Sequence, residues 1–249
     1  DNISIPHPDE ANFLRFSTTV DGRPVATRLE LRVIARGVDQ TAYLRSLNIP
    51  LSPASQATGR ALDRLPAAAR AQVVLRGLAF VDEYDIGHGR ERHLAPTWTL
   101  RTTYYWTQVF PPGRDLVVAH RYEPAVGATV AAALSMPEYA NSDDGRADRR
   151  TYCVDDAFMA ALRAAPRMPD SQMANLTERR IRYVLTTGAN WARPIGDFRM
   201  VIDKMSPDNL VSFCGTGVRR ISPTRFEVRY QNFTPRQDVA VLLLSPIRN

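Results

Sequence analysis

Alternate residues from Trp98 to Phe110 fall into two rows. Trp98, Leu100, Thr102, Tyr104, Trp106 and Phe110 share one, and Thr99, Arg101, Thr103, Tyr105 and Thr107 share the other. A period of two over so long a run requires an extended, half-buried strand, because successive side chains point to opposite faces. Pro111-Pro112-Gly113-Arg114 supplies a turn, and Leu116 to Tyr122 reads as the return strand of a hairpin. Aromatic and β-branched residues on both strands predict a cross-strand ladder. A chain organised around such a ribbon must bury its apolar row against more sheet or against helices.

Further strands are easy to find. Phe13 to Val20 leads into Asp21-Gly22, the strongest hairpin signal in the chain, and Val25, Thr27, Leu29, Leu31 and Val33 then alternate with Ala26, Arg28, Glu30 and Arg32. In the last third, Arg179–Thr187, Phe198–Asp203, Leu210–Cys214, Phe226–Tyr230 and Val239–Leu244 read as short strands separated by turn clusters, the spacing of an antiparallel sandwich. Helical patterns interrupt this. Val38–Leu47 has Asp39 as expected N-cap, Ser55–Gly77 is split into two helices at Pro66, and Asp155–Ala165 begins with acids and ends at Pro166. Gly127–Tyr139 is weakly helical, and Val81–Pro96 and Asn141–Arg150 read as polar loops. The expected fold is mainly β with α insertions (α+β): antiparallel, sandwich-like sheets with an inserted helical segment. Residues 1–126 are expected to hold hairpins and inserted helices, and residues 127–249 a short helix and the C-terminal sheets.

The formal net charge is +6. Nucleic acid is the first partner such a balance suggests. However, Lys204 is the only lysine among 32 basic residues, and the arginines are spread out; the doublets Arg149-Arg150, Arg179-Arg180 and Arg219-Arg220 lie far apart without interleaved aromatics. The reading is therefore a solvated arginine surface and no nucleic-acid partner. No apolar run is longer than that of Val239–Leu244, far below the roughly 20 residues of a membrane span. The start, Asp1-Asn2-Ile3-Ser4-Ile5-Pro6, is neither basic nor apolar enough for a signal peptide and lacks an initiator Met, so a processed or truncated chain is expected.

Cys153 and Cys214 are the only cysteines, and no C-x-x-C pair occurs. They admit three readings: a disulfide, two buried thiols, or one reactive thiol at the start of the Asp155 helix. Asp155 and Asp156 oppose a thiolate there, and an even count suits a bridge in an exported protein. The expectation carried forward is a Cys153–Cys214 disulfide.

Little familiar chemistry is present. Asp82, Asp85, His88, Glu91 and His93 bring potential metal ligands together, with His88 and His93 the weak candidates, but the spacing matches neither a calcium loop nor H-E-x-x-H. His120 lies an odd number of positions from Asp115, so the two point to opposite faces of a strand, and no G-x-S-x-G accompanies them. The turn Thr187–Asp197 is read as structural, with a ligand-binding corner at Asn190, Trp191 and Asp197 as the functional alternative. No glycine-rich phosphate cradle occurs, and no cofactor is expected.

An ordered set of strings carries a resemblance: Thr102-Thr103-Tyr104-Tyr105-Trp106, Phe110-Pro111-Pro112-Gly113, His120-Arg121-Tyr122-Glu123-Pro124, Thr187-Gly188-Ala189-Asn190-Trp191, Pro194-Ile195-Gly196-Asp197-Phe198, Ser212-Phe213-Cys214-Gly215 and Ile221-Ser222-Pro223-Thr224. Together they resemble the exported bacterial family known as domain of unknown function 4424, from the Asp21-Gly22 turn to Leu244. The resemblance implies a β-rich fold, a periplasmic or secreted location, and a signal peptide and further strands upstream in the full-length protein. It implies no reaction and no catalytic residue. The expected function is a non-catalytic binding or interaction protein of the cell envelope or extracellular space, acting on an envelope or extracellular ligand or protein. The alternative is a hydrolase or metal-dependent enzyme using the Asp82–His93 loop.

Overall fold

A computed structural model describes residues 3–4, 12–85, 87, 89–124, 126–129, 131–168, 171 and 173–247. The fold is α+β and mainly antiparallel sheet. It divides into two compact units, one comprising Ile5–Glu123 and the other Asp1–Ser4 with Pro124–Asn249.

In the Ile5–Glu123 unit, Ser17–Val20 pairs with Arg23–Val25 across Asp21-Gly22. Both turn residues have positive φ (49° and 75°), as a type I′ turn requires. The other neighbour of Ser17–Val20 is Val118–Arg121. The strand Thr99–Tyr105 instead pairs with Arg28–Ala35, so the hairpin expected between Trp98–Phe110 and Leu116–Tyr122 does not form. The alternation itself holds. Trp98 is buried, Leu100, Thr102, Tyr104 and Trp106 are half-buried, and the opposite row of Thr99, Arg101, Thr103, Tyr105 and Thr107 is exposed; Phe110, beyond the end of the strand, is exposed as well. Periodicity fixes which face a side chain takes, but not which strand lies beside it.

Arg28–Ala35 turns through Arg36-Gly37 (φ 50° and 80°) into Val38–Asp39, so the expected helix starts later, at Thr41. Asp39 still serves the helix start: its Oδ1 accepts hydrogen bonds from the Thr41 amide (2.9 Å) and hydroxyl (2.6 Å). Pro66 separates Gln56–Asp63 from Ala67–Leu75 as its missing N–H demands, and Ser55 caps the first of these helices. These helices cover Val33, Ala35, Leu94 and Trp98 with Leu44, Leu62 and Val73, and the Trp98 indole donates to the Leu51 carbonyl at 2.8 Å.

The segment expected as a polar loop, Val81–Pro96, belongs to a hairpin of Ala79–Asp85 and Arg90–Pro96. Its charges read as loop because their complements lie across the ladder: Glu83 faces Arg92 and forms an ion pair with it, and Asp85 faces Arg90. Asp85 Oδ1 also accepts from the Gly87 and Gly89 amides and so closes the turn.

In the other unit, a five-stranded sheet runs in the order Ile3–Ser4, Val126–Thr129, Leu176–Tyr183, Val239–Pro246, Leu210–Phe213. Helices cover one face of it: Phe158, Met159 and Leu162 of Asp156–Ala164 pack with Leu176, Leu242, Leu244 and Tyr152. Asp155 caps this helix by accepting from the Phe158 amide at 2.7 Å. Two expectations need correction. Gly127–Tyr139 holds the strand Val126–Thr129, a 3-10 turn Ala133–Ser135 and only a short helix from Pro137. Asn141–Arg150 holds the helix Asp143–Thr151, capped by Ser142, with acids in its first turn and arginines in its last. It lacks an apolar stripe, so capping and dipole complementarity mark it rather than periodicity. Gly145 fits against the preceding helix so closely that a Cβ would stand 1.9 Å from the Tyr139 carbonyl oxygen. Gly145→Ala is therefore expected to destabilise the fold by about 1–3 kcal/mol, read from chemical denaturation, despite alanine's higher helix propensity.

A second sheet pairs Ile195–Asp203 with Arg225–Phe233, whose far side takes Arg219–Arg220. Its faces differ sharply. One carries Phe198, Met200, Ile202, Val228 and Tyr230. The other is a ladder of ions: Asp203 with Arg225 (2.9 Å), Arg199 with Glu227 (2.6 Å), Arg219 with Glu227 (2.7 Å) and Asp197 with Arg229 (2.7 Å). Arg199 and Arg229 stand directly opposite, and the diagonal partners Glu227 and Asp197 neutralise them. Arginine's abundance thus has a structural use in this sheet.

Candidate functional site

The apolar face of the second sheet forms one wall of a cleft. Phe198 and Tyr230 come from paired strands and stack with centroids 5.9 Å apart at 7°; Phe233 tilts against both, at 4.7 and 4.9 Å. Met200 and Val228 continue this wall. Facing residues come from two loops, Cys214-Gly215-Thr216 after the strand Leu210–Phe213 and Thr234–Val239 before the strand Val239–Pro246. The cleft has a volume of about 540 Å³. That is within the usual range for small-ligand sites, and an aromatic lining with few polar groups is their usual character.

Local chemistry explains why the loops sit there. Gly215 approaches the sheet so closely that a Cβ would meet Val228 at 2.9 Å and Val218 at 3.1 Å. The Thr216 amide donates to the Tyr230 hydroxyl at 2.8 Å, fixing the phenol while leaving its proton available to a ligand. Asp238 Oδ1 accepts from the Leu185 amide, the Thr186 amide and the Thr186 hydroxyl at 2.8–3.0 Å. The backbone hydrogen bond from Thr186 first, then its hydroxyl, hold the Asp238 carboxyl below its ordinary pKa, so it is ionised at the cleft rim. Arg236 is the cationic lining residue.

Cys153 and Cys214 also line the cleft and are joined by a disulfide, with Cα atoms 5.0 Å apart. The bridge ties the segment between the helices Asp143–Thr151 and Asp156–Ala164 to the end of the strand Leu210–Phe213. Next to it, the Ser212 hydroxyl donates to the Tyr152 carbonyl at 2.9 Å.

Asn190 and Trp191 lie at the end of the 3-10 turn Thr186–Asn190, and Trp191 is 65% exposed. Asp197 is on the ionic face of its strand, where its carboxylate accepts from Arg229 Nε and Nη2 and from Gln231 Nε2. The hydrogen bond from Arg229 leads in holding its pKa low. Asp197 therefore points away from the face that carries Phe198. The cleft residues Phe198, Met200, Tyr230 and Phe233 were not singled out from sequence, although the alternation of Phe198, Met200 and Ile202 against Phe226, Val228 and Tyr230 is the signal that marks them.

In the other unit, His120 Nδ1 is 2.7 Å from the Thr18 hydroxyl and its ring packs beside Phe16 and Trp106. His88 lies outside the described residues. His93 sits between two carboxylates, with Nδ1 2.8 Å from Asp63 and Nε2 3.1 Å from Glu91. Asp63 also accepts from the Leu94 amide at 2.9 Å, which joins helix Gln56–Asp63 to the hairpin. Among the described residues no group of three or more His, Cys, Asp or Glu is placed to hold a metal ion.

Hydrogen bonding to Asp63, then to Glu91, raises the His93 pKa. Burial works against the Asp63 carboxylate, yet the bonds from His93 and Leu94 outweigh it and lower its pKa. A raised histidine stabilises the fold below its unfolded pKa of about 6.5, and that contribution fades as pH rises through the folded value. A lowered aspartate stabilises above about pH 3.9 and fades as pH falls through its folded value. The gap in melting temperature between the parent and His93→Gln should therefore be widest between these limits and narrow toward alkaline pH. A gap independent of pH would refute the coupling.

No helix among the described residues is long and apolar enough to cross a membrane. Comparison with curated proteins and with solved structures returned no match. The family model that does match covers residues 1–242, almost the whole chain, and on that coverage the chain belongs to the family described as Domain of unknown function (DUF4424).

Proposed function

We propose that the chain is an exported, non-catalytic binding protein of the bacterial cell envelope or extracellular space, and that its ligand enters the cleft lined by Phe198, Tyr230 and Phe233. The carrying observation is that cleft: three mutually packed rings form one wall, with the fixed Tyr230 hydroxyl and the ionic groups of Arg236 and Asp238 near by. Such a surface orients a ligand through a few polar contacts while its apolar part is removed from water. The disulfide supports export, since structural bridges persist in oxidising compartments.

Binding of anilinonaphthalene sulfonate, an aromatic anion, tests the cleft. Its fluorescence should rise saturably with the parent, and Phe233→Asp should weaken binding on the order of tenfold or more by placing a carboxylate in the wall. Equal binding by a Phe233→Asp protein that melts like the parent would remove the cleft from the account. Location is tested separately by thiol trapping in fractionated cells of the source bacterium: the protein should be found with its cysteines blocked, outside the cytoplasm.

A further inference from the structure

We propose that the outer edge of the strand Ile195–Asp203 is a self-association surface, where a second copy of this chain adds its own Ile195–Asp203 strand antiparallel, with Phe198 on the two-fold axis. The edge belongs to the sheet whose apolar face walls the cleft, but the inference requires no ligand there.

The strand spans nine residues and is the edge of its sheet; Arg225–Phe233 lies on one side of it and no described strand on the other. No backbone hydrogen bond from elsewhere in the described residues reaches that outer side. A long edge with unpaired N–H and C=O groups is a template for another strand. Charges that project across an edge often block such pairing, but here the charged row lies on one face and is already bonded to the neighbouring strand. Phe198 and Met200 carry the other face as an apolar row.

Register decides the partner. The two strands must keep apolar row beside apolar row, so a one-residue slip is excluded. Pairing centred on Arg199 sets Arg199 against Arg199 of the second copy. Pairing centred on Met200 sets Asp197 against Asp203. Pairing centred on Phe198 sets Asp197 against Arg199, twice by symmetry, while Phe198 faces Phe198, Met200 faces Gly196 and Val201 faces Ile195. Pairing centred on Val201 also joins opposite charges, Arg199 with Asp203, but within the strand it covers only Arg199–Asp203, whereas the Phe198 register joins them over the longer stretch Ile195–Val201. Arg199 is suited to bridge, because it reaches Glu227 through Nε, and among the described residues its Nη nitrogens make no hydrogen bond. The other long edges lack this self-complementarity. Centred pairing of Thr99–Tyr105 sets Arg101 opposite Thr103, that of Arg90–Pro96 sets Arg92 opposite Leu94, and that of Ala79–Asp85 sets Val81 opposite Glu83.

Sedimentation velocity of the whole, oxidised chain tests this. The parent should show a concentration-dependent dimer. Asp197→Arg and Arg199→Asp should each weaken self-association by on the order of tenfold or more, because each turns both attractive pairs into repulsive ones. Mixing the two variants should restore dimers, since every swapped side chain then meets its opposite. In parallel, Phe198→Cys should give a covalent dimer on oxidation and Val201→Cys should not. A parent that remains a monomer at every concentration overturns the proposal, as does a mixture of folded variants that stays monomeric. If the charge variants fail to fold, amide exchange of the parent decides: protection of Ile195–Asp203 must rise with protein concentration, and protection that does not change refutes the edge.

Discussion

Arg180→Leu is expected to lower the free energy of unfolding by about 3–5 kcal/mol, because it leaves a buried carboxylate without its cation. Glu178 is 2% exposed and lies among Leu176, Leu242 and Leu244 on the helix-covered face of the five-stranded sheet. Its Oε1 accepts from Arg180 Nε at 2.6 Å and its Oε2 from the Ala133 amide at 3.2 Å. The same guanidinium donates to both oxygens of Asp148, at 3.1 and 2.7 Å, and the Tyr139 hydroxyl donates to Asp148 as well. Burial disfavours the Arg180 charge, but its bonds to Glu178 and the neighbouring carboxylate outweigh that and raise its pKa further. One cation therefore joins the sheet to the helix Asp143–Thr151. The double variant Glu178→Leu/Arg180→Met should recover most of the loss, since a buried ion pair is replaceable by apolar groups more readily than it is halved. A single variant as stable as the parent in urea titration would contradict this reading of the network.

Reduction of Cys153–Cys214 is expected to cost about 4 kcal/mol if the bridge acts by restricting the unfolded chain, given a sequence separation of 61. The double variant Cys153→Ser/Cys214→Ser should show the same loss without reductant. A wider consequence follows from location: the bridge holds Cys214-Gly215-Thr216 over the aromatic wall, so its loss should weaken probe binding as well as stability. A protein that melts identically in both redox states would mean that hydrogen bonds such as Ser212 to Tyr152 hold this corner unaided.

How much of this was legible in the sequence depended on the range of the interaction. Period-two rows identified the C-terminal strands, and Asp21-Gly22 identified its hairpin, because both signals act over a few residues. Strand partners were less accessible: Thr99–Tyr105 joins Arg28–Ala35 across a helical insertion, while the expected local return strand goes to Ser17–Val20. Polar segments misled for a related reason. Glu83 and Arg92 look solvated apart and complementary only once paired, and Asp143–Thr151 is helical without an apolar stripe. The cysteine pair was legible from its even count and the lack of a C-x-x-C pair, whereas the cleft was not. Its lining comes from the strands that carry Phe198 and Tyr230, from Cys214–Thr216 and from Arg236–Val239, brought together by two sheets and a disulfide rather than by any motif.

Methyl NMR of protein labelled at Met, Leu and Val, titrated with anilinonaphthalene sulfonate, tests the central claim most directly. Binding in the cleft predicts that Leu185, Met200, Val228 and Val239 shift together and saturate on one curve, while Val33, Leu44 and Leu62 of the other unit's core remain still. Shifts confined to residues outside the cleft, or rising without saturation, would contradict it.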